Sequence, residues 1–144
     1  MSDYLEFEQL SEIDDVLKLR IKSECGGFAG IADCYVNDEQ FQKFCSQLSG
    51  FPKKREESLQ FSSGENVQLS YFDITLSCAD NSGRILVALK IVSIDGRFPR
   101  DTVHAVASFS FKVEPAQFDR FVSGLHRVSE INNVGSKAVL LSEA

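Results

Sequence analysis

The sequence predicts an α+β domain, a mainly antiparallel sheet of about six strands with two amphipathic helices packed on it. Three observations carry that expectation. Several segments alternate apolar and polar residues with a period of two, separated by Gly-, Asn- and Ser-containing turns. Two segments carry apolar residues at helical spacing instead. Each of these helices follows a run of strands, the order of a layered α+β fold. A chain of 144 residues is the size of one domain. Residues 1–144 are therefore read as a single domain, with the acidic stretch 1–15 and the tail 132–144 at its periphery.

In residues 16–22, Leu17, Leu19 and Ile21 alternate with Lys18, Arg20 and Lys22, which predicts a half-buried strand with a basic outer face. Gly26-Gly27 turns the chain into a second strand over 28–36. There Asp33 shares the parity of Ile31 and Tyr35 and points away from the core. Asn37 offers an N-cap, and Asp38 and Glu39 suit a first helical turn. Phe41, Phe44, Cys45 and Leu48 then fall on one helix face, and Gly50 and Pro52 end it. A charged loop over 53–58 leads to strands at 59–61 and 66–78, with 62–64 as the turn. In the longer run Val67, Leu69 and Tyr71 share one parity and Phe72, Ile74, Leu76 and Cys78 the other. That change predicts a bulge or break at Tyr71-Phe72.

Asp80-Asn81-Ser82-Gly83 predicts a hairpin turn, and the β-branched run 85–94 a central strand. A loop over 95–101 precedes a strand over 102–113, where Phe109, Phe111 and Val113 alternate with Ser108, Ser110 and Lys112. Pro115 suits a first helical position. Phe118, Phe121, Val122, Leu125 and Val128 form the stripe of a second helix ending near 130–133, before one short strand at 138–141.

The two helices are near copies. Residues 36–48 align without gaps to 113–125, with Val, Gln, both Phe, Ser and Leu coinciding and Lys43 matching Arg120. Phe residues spaced by three are what any helix packed on a sheet requires. The matches of Gln40 to Gln117 and Ser46 to Ser123 go beyond that need, and favour two related strand–loop–strand–helix units.

The net charge of −6 argues against nucleic acid and anionic membrane as partners, since both demand clustered Lys and Arg. The acid is uneven: Asp3, Glu6, Glu8, Glu12, Asp14 and Asp15 all precede the first basic residue, Lys18. This stretch is either a solvated face or a docking surface for a basic protein. Cys25, Cys34, Cys45 and Cys78 show no C-x-x-C spacing, and the N-terminus lacks a basic, apolar leader pattern. The expectation is a cytoplasmic protein with reduced thiols. With two histidines, no metal-ligand spacing and no phosphate-binding glycine motif, no catalytic residue, metal site or cofactor is expected. The candidate partner-binding residues are Glu12, Asp14 and Asp15, and the basic loop residues Lys53, Lys54 and Arg55 beside Phe51. Arg97 and Arg100, beside Phe98, complete the set.

The layout also carries a resemblance, through Phe28-Ala29-Gly30, Phe41, Phe44, Leu48, the 80–83 turn and the 109–125 strand and helix. In these it resembles the WapI-type bacterial immunity proteins, encoded beside wall-associated contact-dependent toxins. The resemblance covers 16–128 and implies a cytosolic antidote that binds a toxin domain, with no catalytic residues. The alternatives are a self-associating module that pairs through exposed strand edges and, behind it, an enzyme of unrecognised type.

Overall fold

A computed structural model describes residues 3–63, 70–94 and 104–142. The readings of Gly64, Val67 and Leu69, and of the 95–101 loop with Arg97 and Arg100, lie outside the described residues. The elements are β1 (Asp3–Ile13), β2 (Val16–Cys25), β3 (Phe28–Asn37), α1 (Asp38–Leu48), β4 (Ser58–Ser62), β5 (Tyr71–Cys78), β6 (Ile85–Ile94), β7 (His104–Val113), α2 (Pro115–Val128) and β8 (Lys137–Ser142). The fold is α+β as expected, but the strands form two antiparallel four-stranded sheets rather than one sheet of six. Their orders are β3-β2-β1-β8 (sheet A) and β4-β5-β6-β7 (sheet B).

The extra strand is the acidic N-terminal stretch. It is not peripheral: β1 pairs with β2 on one side and β8 on the other. Leu5, Phe7 and Gln9 are fully buried on its inner face, while Tyr4, Glu6 and Glu8 take the outward parity. The tail is not peripheral either, since Ala138, Leu140 and Ser142 of β8 are buried. In β1 the outward Glu6 and Glu8 resemble a solvated run when read without partners, while β8 is a short strand whose outward positions are Lys137, Val139 and Leu141.

The repeat extends over the whole fold. Strands β1, β2, β3, helix α1 and strand β4 form one unit, and β5, β6, β7, α2 and β8 form the other. In each unit the fourth strand leaves its own sheet, so that β4 pairs with β5 and β8 with β1. Apart from a bulge between Gln9 and Ser11 in β1, the registers match. Ala32, Ile21, Phe7 and Ala138 lie across sheet A where Phe109, Leu89, Ile74 and Phe61 lie across sheet B. The units meet at equivalent positions, because a Cβ on Gly30 would stand 3.1 Å from the Cβ of Ala107. The molecule thus has an internal pseudo-twofold axis passing close to Gly30 and Ala107.

Local chemistry explains the elements. The β1–β2 and β2–β3 hairpins have two-residue turns, Asp14-Asp15 (φ 51° and 66°) and Gly26-Gly27 (φ 59° and 89°). Positive φ at both central residues matches the twist of the flanking strands. The Asn37 side chain accepts from the Gln40 amide at the start of α1. Glu114 and Gln117 form a capping box at the start of α2, with Pro115 in the first turn. The predicted helical stripes are buried: Phe41, Phe44, Phe118 and Phe121 expose at most 3% of their surface. The ring of Phe7 meets Phe41 of α1, Phe121 of α2 and Phe72 of β5, so β1 supplies the residue that joins both helices to sheet B.

The second helix is held against the β1–β8 pair at two points. At Gly124 an added Cβ would lie 2.9 Å from the Cα and Cβ of Ala138, so only glycine permits the observed approach. The buried Gln9 side chain donates through Nε2 to the carbonyls of Val128 (2.7 Å) and Glu130 (2.8 Å). Val128 is the last residue of α2, where the carbonyls have run out of helical amide donors, and Glu130 lies two residues beyond it. Because Phe7 is central rather than peripheral, Phe7→Ala is expected to lose about 3–5 kcal/mol of unfolding free energy, as is Phe121→Ala. Urea melts check both, and a loss below about 1 kcal/mol for Phe7→Ala would contradict the central placement of β1.

Candidate interaction surfaces

The acidic candidates gather at one end of sheet A. Asp14 and Asp15 are exposed at the tip of the β1–β2 hairpin, and Glu12 is half-buried beside them. The tip is fastened to the start of α1, because the Asp38 amide donates to the Asp15 carbonyl at 3.0 Å. Exposed Glu39 sits in the first turn of that helix. Between the carboxylates stand two exposed apolar side chains, Ile13 (68% exposed) and Val16 (39%). The basic candidates Lys53, Lys54 and Arg55 are exposed in the segment beyond the other end of α1. An 11-residue helix spans about 16 Å, so the structure separates this cluster from the acidic tip. The Lys53 amide donates to Glu57 Oε1, closing that segment on itself.

The open face of sheet A is a surface that the sequence reading did not assemble. Its central row runs Asp33, Arg20, Glu8, Lys137 across β3, β2, β1 and β8. The next row runs Ile31, Lys22, Glu6, Val139, and the one beyond it Ala29, Glu24, Tyr4, Leu141. Arg20 binds Asp33 through two bonds, Nε–Oδ1 at 2.8 Å and Nη2–Oδ2 at 3.0 Å. The Lys18 ammonium lies 5.7 Å from the Tyr35 ring centroid. Ile31, Tyr35, Val139 and Leu141 are each more than two-fifths exposed. The available signal was the alternation of Tyr4, Glu6 and Glu8 with Leu5 and Phe7, obscured by the acidity of the whole segment.

Sheet B has the same strand geometry and a different open face. The positions equivalent to the central row of sheet A hold Ser110, Ala88, Thr75 and Gln60. Those equivalent to the next row hold Ser108, Lys90, Asp73 and Ser62. Only the Lys22–Glu6 pair has a charged counterpart, in Lys90–Asp73.

Groups with chemical potential lie apart from these surfaces. All four cysteines are free. Burial pushes the Cys34 and Cys45 thiols up to about 12, which suppresses their thiolate and hence their reactivity. His126 Nε2 meets Ser49 Oγ at 2.9 Å in an exposed contact that ties the end of α1 to α2. Among the described residues no group of three or more His, Cys, Asp or Glu could hold a metal ion, and no helix is long and apolar enough to cross a membrane. Comparison with protein-family models, curated proteins and solved structures returns no match.

The Arg20–Asp33 pair makes a pH prediction. The hydrogen bonds from Arg20, joined by its charge, hold the Asp33 carboxyl below its ordinary value. A carboxyl lowered in the folded state contributes stability above its unfolded value of about 3.9 and loses it as pH falls through the folded value. Both partners are about one-third exposed, so solvent limits the effect to about 1 kcal/mol at most. The stability gap between the parent protein and Asp33→Asn should therefore be present at neutral pH and close in acid. Urea melts across that range measure it, and a gap independent of pH would show that the charge contributes nothing.

Proposed function

We propose that the chain is a non-catalytic protein-binding module that receives a basic partner domain on its acidic hairpin tip. The observation that carries this reading is the tip itself. Ile13 and Val16 are exposed among Glu12, Asp14, Asp15 and Glu39, on a turn fixed by its own backbone and by the bond from Asp38 to Asp15. The carboxylates supply a field that draws in a basic surface, and the apolar pair supplies short-range contact once it arrives. The resemblance to WapI-type immunity proteins gives the partner's class, a toxin domain encoded beside the gene, and the role, neutralisation by masking. The four free thiols, of which Cys34 and Cys45 are buried, support a reducing, cytoplasmic setting.

The test is the association rate with that neighbouring toxin domain over a series of salt concentrations. The triple variant Glu12→Gln, Asp14→Asn, Asp15→Asn keeps side chains that tolerate positive φ, so the turn is preserved. At low salt the triple variant is expected to associate several-fold more slowly than the parent. That difference should shrink as the screening length falls to about 10 Å near 0.1 M salt. An unchanged rate at the lowest salt removes the tip from the interface.

A further inference from the structure

We infer that the open face of sheet A is a self-complementary interface on which a second copy of this chain packs, sheet against sheet. The argument begins with the charge order of its rows. Consider a twofold axis lying in the interface, nearly parallel to the strands and between β1 and β2. It sets β2 of one copy over β1 of the other, and β3 over β8. In the central row Arg20 then faces Glu8 and Asp33 faces Lys137. In the next row Lys22 faces Glu6, and Ile31 faces Val139. In the third, Ala29 faces Leu141 and Glu24 faces Tyr4. Each charge in the two inner rows meets its opposite, and each exposed aliphatic side chain meets another. A twofold axis across the strands would instead set Lys22 over Lys22 and Glu6 over Glu6 if centred on that row. The sequence therefore selects one of the two isologous arrangements.

The pseudo-twofold repeat provides an internal control. Sheet B has the same strand geometry and can be compared with sheet A position by position. At the positions equivalent to Asp33, Arg20, Glu8, Lys137, Ile31 and Val139 it has Ser110, Ala88, Thr75, Gln60, Ser108 and Ser62. Sheet B keeps the Lys22–Glu6 pair as Lys90–Asp73 and exposes Val106 at the position of Ala29, so what is particular to sheet A is the central charge row and the Ile31–Val139 pair. Aligned sheet packing at a spacing of about 10 Å accommodates side chains of this length between the two copies. Four strands and about seven residues of each make an interface of roughly 1,000 Å² in total, at the small end for specific association. The dimer is accordingly weak, concentration-dependent and salt-sensitive.

Sedimentation velocity on the full chain, from low to several hundred micromolar and at two salt concentrations, tests this. The parent protein is expected to shift from monomer to dimer with concentration, and less readily at high salt. K22E makes the Lys22–Glu6 contact wholly acidic and E6K makes it wholly basic, so each alone should weaken dimerisation at least tenfold. Mixed in equal amounts, the two variants should form a heterodimer, because each face then meets its opposite. I31D, which places a carboxylate beside Lys22 of its own sheet and opposite Val139 of the second copy, should weaken the dimer with the monomer's melting temperature unchanged. A parent protein that stays monomeric throughout overturns the proposal, even if this face binds some other protein. So does a dimer indifferent to K22E, E6K and I31D, or a mixture of the two charge variants that fails to pair.

Discussion

Strand β8 pairs with β1, and β4 pairs with β5. Each three-stranded meander therefore takes its fourth strand from the other half of the chain. The rest of the structure follows from that exchange. Neither half can bury the inner face of its sheet alone, because the outer strand that completes the layer arrives with the other unit. Helix α2 must also pass close to β8 to deliver it, which is why glycine stands at position 124 against Ala138. The buried Gln9 amide binds the carbonyls of Val128, the last residue of α2, and of Glu130, where the chain turns toward β8. Phe7, at the centre of the completed sheet, then touches aromatic rings from both helices and from sheet B. The outcome is one cooperative core whose decisive pairing joins the two ends of the chain. A fold of that kind is favoured late, after the long loop has closed.

This topology also explains which parts of the fold were legible in the sequence. Strands β2 and β3 and both helices announced themselves through local signals: period-two alternation, Gly26-Gly27, an Asn37 cap, Pro115 and the Phe stripes. Strand β1 did not, because its outward positions hold Glu6 and Glu8 and its third inward position holds Gln9, whose need for burial is set by helix carbonyls more than a hundred residues away. The number of sheets was illegible for a related reason. Alternation reports which face of a strand is buried, never which strand lies beside it. The helical repeat was visible because both stripes fill the same kind of space. The strand repeat was hidden because equivalent positions trade volume: Ala32 corresponds to Phe109, and Phe7 to Ile74.

The surfaces divide along the same line. Glu12, Asp14 and Asp15 could be named from sequence because an acidic cluster is local. That Ile13 stands exposed beside Val16 depends on a bulge between Gln9 and Ser11, which shifts the register of the β1–β2 ladder before the tip, whereas Val16 is outward by the alternation of β2 itself. The rows on sheet A could not be read at all, since each draws residues from positions near 5, 20, 30 and 140 of the chain. Lys53, Lys54 and Arg55 look continuous with other charged segments in sequence, yet the length of α1 keeps them away from the hairpin tip.

The two surfaces differ in electrostatic character, and that difference assigns them different work. In the two inner rows of the open face of sheet A the charges balance: Asp33 and Glu8 against Arg20 and Lys137, Glu6 against Lys22. Such a face casts little field into solvent. Its charges act only at contact, where alternation fixes which strand may lie over which. At the hairpin tip Glu12, Asp14, Asp15 and Glu39 share one sign, so their fields add and reach as far as salt allows. The tip is suited to attracting a partner from a distance, and the face to setting the register of one already close. A duplicated fold provides both with little conflict, because the inner faces of its two sheets carry the core while their outer faces remain free to diverge.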